Sequence, residues 1–492
     1  MTRRIPRILV AFVLSAAAAA RAGSPARIAT AWLADALEDP QKIPPVLTAL
    51  RTVGDEEVIG LLAALSASSD KRTRLRATAA LGQIGKPQAI PALRERLNRD
   101  PQMAVRAEAL AHLLERKALS VEQLQEALKI PDENVRCMAA RALARMGKGQ
   151  LGADVLRRLT GSTDPGTAAL SRMSLLGLGD ASQLPALKRI LSDPKTPQSL
   201  LGLLMEQAAA EKILWAQPLA VQIAETGGSG PLKLLGYKAI AALSPQAALV
   251  LRDGIRSAKG AVLRIHLLHA LASCEGARPH LEALSRQEGV LGALARFELV
   301  RPSGGVEAAR AALKALAFGH PVVAEYLLNR AEKDSGRDMA FTAFYPPVLL
   351  EIVRSVDTNP RKMGKQHICA AKCVTLLTKL NHPQGLRGLK TLLAGRHSAI
   401  VLTVAAGLRW SKNPAVCELA LPLLNSAYEE LLIDAAMALG YFGRAEATKA
   451  LLGIVRSANR HRVELVAMAC WYLLKIEKQQ AQAVAQLVRR IK

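Results

Sequence analysis

The sequence predicts an all-α solenoid of stacked helix pairs, and three observations carry that prediction. The first is a repeated frame: TRLRATAALGQIG at residues 73–85 returns in altered form, with anchors at Leu81, Leu113, Leu143 and Leu175, spaced 32, 30 and 32 residues. The second is its recurrence near the C-terminus, where Leu377, Leu408, Leu439 and Cys470 each follow the last anchor by 31 residues. A period in this range marks supersecondary units too small to bury their own apolar faces. The third is helical spacing within a unit. Thr73, Ala77, Ala80, Leu81 and Ile84 fall at i, i+4, i+7, i+8 and i+11, and Val135, Ala139, Ala142, Leu143 and Met146 repeat that stripe.

The elements follow from the N-terminus. Arg3, Arg4 and Arg7 precede an apolar run from Ile8 to Ala20, and Ala20-Arg21-Ala22 forms an A-x-A site. Residues 1–22 therefore read as a secretory signal peptide, cleaved between Ala22 and Gly23. The expected location is the periplasm or the exterior, and no later stretch is long and apolar enough to span a membrane. In each unit a glycine follows the first helix, at Gly85, Gly147, Gly179 and Gly443, where a left-handed residue ends the helix. Twelve residues past each anchor another apolar position, such as Leu93, Val155, Leu187, Leu389 or Leu451, belongs to a second helix. Pro91 and Pro185 sit early in that helix, where a missing N–H costs little.

These residues resemble the HEAT repeat, in the variety found in phycobilisome lyases and many bacterial proteins. The pattern V-R-x-x-A-A-x-A-L-G-x-I-G is matched at 73–85, 105–113, 135–147 and 263–271. The resemblance implies a right-handed α-α superhelix of armadillo type, with 23–332 and 367–492 as two solenoid stretches. Gaps between anchors leave room for about three further units in the middle. Between them, 333–366 breaks the pattern with Pro346-Pro347 and a polar run, and reads as an irregular insertion or a hinge. The resemblance also implies binding rather than catalysis, because the repeated residues are folding residues.

Charge and cysteine narrow the class. Lys and Arg number 66 against 41 acids, net +25, and removal of the signal peptide leaves +21. Such an excess attracts polyanions. Arg74, Arg106, Arg136 and Arg264 belong to the folding frame, with Asp70 and Asp132 four residues before two of them, so an Asp–Arg ladder between units is expected. Positions flanking the anchors read Arg76, Glu108, Met138 and Gln83, Glu115, Arg145, and acids interrupt any phosphate-tracking row. The six cysteines fall largely on core positions, as Cys369, Cys373 and Cys470 do, and read as small buried hydrophobes.

No catalytic, cofactor or metal site is expected. His367, Cys369 and Cys373 offer three ligands without a fourth, and His266 and His269 have no completing acid. Deoxyhypusine hydroxylases, of similar architecture, carry His-Glu motifs that this chain lacks. The scarce aromatics, 3% of residues, argue against the basic DNA glycosylases of this architecture. The export signal argues against the phycobilin lyases, which act inside cells.

The candidate site is a ladder in the C-terminal units. Trp410, Tyr441 and Tyr472 stand two residues after successive anchors, and Met437 and Met468 two before. On a solenoid's inner face such a row grips a helix or extended peptide, whereas on a helix flank it packs between repeats. The expected function is an exported, non-catalytic scaffold for an unidentified protein partner. The alternative is a basic binder of nucleic acid, anionic membrane or acidic glycan, separable by its steeper salt dependence.

Overall fold

The structure is a computed structural model that describes residues 24–491 except 194, 227–229, 245, 337–342 and 360–363. The expected signal peptide, with Ala22 and Gly23, lies outside the described residues. Every regular element described is helical, and the helices alternate as the period demands. Frame residues form first helices such as Lys71–Ile84, Glu133–Arg145 and Pro165–Gly177. Second helices, such as Ile90–Arg99, Gln150–Leu159 and Leu184–Ser192, run back along them. The chain is an all-α solenoid of stacked pairs.

Local chemistry sets the helix ends. Asp70, Asp132 and Asp164 each accept the N–H three residues on, at 2.7, 2.8 and 2.6 Å, and so cap their own helices. Gly85, Gly147, Gly179 and Gly443 take positive φ of 78°, 71°, 94° and 69°, as the sequence requires of a left-handed helix stop. Pro185 lies in the first turn of Leu184–Ser192.

Two of the frame arginines reach backbone carbonyls. Arg106 donates to Asn98 O at 2.7 Å and Arg264 to Ile255 O at 3.0 Å. Arg172 reaches Thr160 O and Arg296 Ser285 O, both at 2.7 Å. Each acceptor sits at the end of the preceding second helix, where carbonyls lack intrahelical partners and the dipole is negative. These bonds replace the expected Asp–Arg ladder at Arg106 and Arg264.

Clustering divides the chain into two compact units, one from the segments up to Arg96 and from Pro414, the other from Leu97–Asn413. In the second unit, helix pairs continue through the stretch where the frame is hard to read. Gln198–Ala210, Val290–Val300 and Pro321–Asp334 are the first helices of the three pairs that fill the gaps between anchors. Within 333–366 the described part includes Tyr345–Arg354, the second helix of the last of these pairs.

The first unit joins the two ends of the chain. Val463–Ile476, the last first helix, packs on Ile43–Val53, and Gln480–Ile491 packs on Glu56–Leu65. First helix meets first helix and second meets second, the register used between units consecutive in sequence. Pro25–Glu38 also packs on Val463–Ile476. Asp55 fixes this junction. One carboxylate oxygen caps Glu56–Leu65 through Val58 N at 2.9 Å. The other accepts Trp471 Nε1–H at 2.8 Å and Gln480 Nε2–H at 3.0 Å. Trp471 is fully buried, so its indole N–H needs that partner.

Trp471→Phe keeps the ring in the core but removes the donor, and should lower stability by about 1–2 kcal/mol in chemical denaturation. Trp471→Ala also leaves a cavity and should cost about 3–5 kcal/mol.

Candidate functional site

Three first helices of the second unit build a cleft of about 750 Å³. Lys365–Leu380 is the middle one, packed against Pro321–Asp334 on one side and Ser398–Trp410 on the other. Ile368, Ala371, Lys372, Thr375, Leu376 and Lys379 line it. They fall at i, i+3, i+4, i+7, i+8 and i+11, one face of a helix. Thr403, Ala406 and Trp410 line it from the next helix. Gly407 lets those helices approach: a Cβ there would lie 2.4 Å from Val374 Cβ and 2.7 Å from Ala371 O. Thr375 Oγ1–H donates across that approach to Gly407 O at 3.1 Å.

The lining is mainly apolar, with large side chains left open to solvent. Ile368 is 62% exposed and Trp410 43%. The Arg409 guanidinium carbon lies 4.6 Å from the Trp410 ring centroid, a cation–π contact that steadies the indole. Most cleft hydroxyls are satisfied internally, Thr403 Oγ1 by donating to Ala399 O at 2.7 Å and Ser335 Oγ by donating to Glu332 O at 2.7 Å. His367 is the exception. Its Nδ1 accepts Gly364 N–H at 3.3 Å, while its buried Nε2 has no partner among the described residues.

The structure places the five ladder residues apart in environment. Trp410 lies in the cleft. Met437, Met468 and Tyr472 are closed off in the first unit, at 0%, 5% and 2% exposure, and present no surface to a partner. There a Cβ on Gly440 would lie 2.8 Å from Tyr472 Cβ, so Tyr472 fills the space of the missing side chain. At these three positions burial corrects the expected ladder to packing between repeats. Tyr441 is half-buried, edge-on to Tyr472 with centroids 6.4 Å apart and under Lys475 Nζ at 4.9 Å. Burial, and then the Asp55 carboxylate, push its phenol up.

The cysteines are all free. Burial pushes the Cys373 thiol up, and its hydrogen bond to Cys369 pulls the Cys369 thiol down. Among the described residues, no three His, Cys, Asp or Glu side chains converge to hold a metal.

A buried charge network, invisible to the repeat frame, braces the helices beside the cleft. Glu298 accepts Arg330 Nε–H at 2.6 Å, Arg301 Nε–H at 3.0 Å and Tyr326 O–H at 2.7 Å. Arg301 also donates to both Asp334 oxygens, at 3.0 and 2.8 Å, and Tyr345 O–H donates to Asp334 at 2.6 Å. Arg330 reaches His269 O at 3.2 Å. Burial works to lower the Arg301 pKa, but Glu298 and Asp334 outweigh it and raise the pKa. Burial, and then Arg330 and its neighbouring cations, hold His269 down at about 3.

Against known proteins, the family description "HEAT repeats" matches residues 30–114 and 99–176. HEAT repeats are thus present in that stretch, and the helix pairs extend the same architecture beyond it. No curated protein matches. Among solved structures, the complex of CpcE and CpcF of phycocyanin lyase from Nostoc sp. PCC7120 is 22% identical, covering 52% of this chain and 93% of that one with a TM-score of 0.28. UNC-45 from Drosophila melanogaster is 13% identical over 92% of this chain and 81% of its own, TM-score 0.32. The karyopherin Kap121p bound to Nup53p is 13% identical over 94% and 55%, TM-score 0.29.

Two outcomes follow from the network. Glu298→Gln leaves buried Arg330 and Arg301 short of a counter-charge and should cost about 3–5 kcal/mol in denaturation. His269 is neutral when folded above about pH 3, whereas the unfolded chain binds its proton below about 6.5. Its contribution to stability is therefore present above about 6.5 and is lost as pH falls toward 3. His269→Phe should remove about 1 kcal/mol of that loss between pH 6.5 and 4.5, after allowance for solvent screening.

Proposed function

We propose that the chain is a non-catalytic protein-interaction scaffold that holds a partner's segment in the cleft along Lys365–Leu380 and Ser398–Trp410. The carrying observation is an apolar cleft that exposes Ile368 at one end and Trp410 at the other, in a chain with very few aromatics. Clustered exposed apolar side chains are the usual mark of a binding surface, and tryptophan is prominent among interface anchors. The face of Lys365–Leu380 from Ile368 to Lys379 runs about 16 Å, enough for roughly three turns of helix or five extended residues.

The cationic surplus has a use that needs no polyanion. Second helices carry basic residues in their last turns, among them Arg157, Arg158, Arg189, Arg256, Lys314, Arg354, Lys390 and Arg456. Cations there oppose the helix dipole. That favours the scaffold over the polyanion reading. We place the mature protein outside the cytoplasm on the strength of residues 1–22, and sequencing of protein from its own cell should then begin at Gly23.

Affinity capture tests the scaffold reading. The full chain should retain a discrete protein from nuclease-treated extract through high salt, and Trp410→Ala should lose it by about 2 kcal/mol or more in measured affinity. Trp410 is exposed, so helical content should hold. Retention of the same protein by Trp410→Ala would contradict the proposal.

A further inference from the structure

We infer that the cleft selects a peptide segment that places an apolar side chain at its Trp410 end and an Asp or Glu carboxylate at its Ile368 end, with His367 Nε2–H and Lys372 as the receiving groups. This rests on the reading of the cleft as a protein-docking groove and specifies the chemistry of its occupant. The argument begins with the direction of one hydrogen bond. Gly364 N–H donates to His367 Nδ1 at 3.3 Å. A ring nitrogen that accepts carries no proton, so the ring proton sits on Nε2, which makes that atom a donor. Nε2 has no acceptor among the described residues, and His367 is only 2% exposed although it lines the cleft. A buried donor left unmade is costly, and an occupant that supplies an acceptor recovers the loss.

The neighbouring polar groups determine which acceptor suits the site. Thr375 and Thr403 spend their hydroxyl protons on backbone carbonyls, so neither offers a donor to an occupant, and the donors left to the cleft are His367 Nε2–H and the lysines. Lys372 and Lys379 stand on the same exposed helix face, one turn and three turns beyond Ile368, and Lys379 Nζ already donates to Ser335 Oγ at 3.3 Å. Against these two cations the lining offers the single carboxylate of Glu332. The cleft is therefore apolar along its length and net positive, with its donors on His367 and the lysines. Its complement is a segment that seats a large apolar side chain at Trp410 and carries a carboxylate within reach of His367 and Lys372 at the other end. A segment running through the cleft supplies that carboxylate from an Asp or Glu side chain.

The test uses the full chain and a displayed library of random 12-residue peptides, counter-selected against Trp410→Ala. Selected peptides are synthesised in three forms: unchanged, with Asp or Glu replaced by Asn or Gln, and with the C-terminus amidated. Affinities are read by fluorescence anisotropy. The wild-type chain should prefer the side-chain carboxylate form over its Asn or Gln form by about tenfold or more, the size of a charge-assisted hydrogen bond. A preference confined to the C-terminal carboxylate would overturn the side-chain assignment. His367→Phe should flatten that preference while the apolar contribution of the peptide remains. Lys372→Met with Lys379→Met, on exposed positions that leave the fold alone, should reduce it too and decides the matter if His367→Phe does not fold. Equal binding of carboxylate and amide forms, with Trp410 still required, would overturn this inference and leave the groove standing. Failure to enrich any Trp410-dependent peptide would overturn both.

Discussion

A helix pair has two apolar faces and can bury only one against its own partner helix, so every pair depends on neighbours. A stack with two ends leaves two such faces uncovered. Here the last pair lies against the first complete one, in the same register that joins consecutive pairs. Asp55 concentrates the junction in one side chain, capping a helix near the N-terminus while accepting from Trp471 and Gln480 near the C-terminus. The junction spans more than 400 residues of sequence, which makes the folding of the first unit dependent on residues at both ends of the chain. Loop-closure entropy grows slowly with length, so even this separation does not prohibit the contact.

Where the repeat frame fades, a different device holds the helices. Glu298, Arg301, Arg330 and Asp334 are all buried, yet each charge faces an opposite one and two tyrosine hydroxyls complete the set. Such networks add little net stability over an apolar core, but they punish any misplacement severely. They suit a stretch whose alanine-rich neighbours could slide. Pro321–Asp334 carries Arg330 and Asp334 and then meets Lys365–Leu380, so the network anchors one wall of the cleft.

The sequence made legible whatever repeats locally. Helix pairs, glycine stops at Gly85 and Gly443, and the early position of Pro185 all follow from spacing and backbone chemistry within a few residues. The ladder was half legible: periodicity grouped Trp410 with Tyr472, but period alone does not separate an exposed flank from a packed one. Gly440, by leaving room for Tyr472, decides burial there. Trp471 and Asp55 gave no signal, because nothing local pairs residues so far apart. His367 stands beside Cys369 and Cys373 in the sequence, but nothing local shows that its Nδ1 accepts a backbone N–H while its Nε2 is left without a partner among the described residues. Trp215, 58% exposed beside Leu214, carries no repeat signature.

Hydrogen exchange of the full chain, with and without a captured protein partner, tests the docking cleft most directly. Slowed exchange confined to Lys365–Leu380, Ser398–Trp410 and the end of Pro321–Asp334 is the predicted result. Protection centred on Leu214–Ala216, or spread along the basic helix ends with these three helices unchanged, would contradict it.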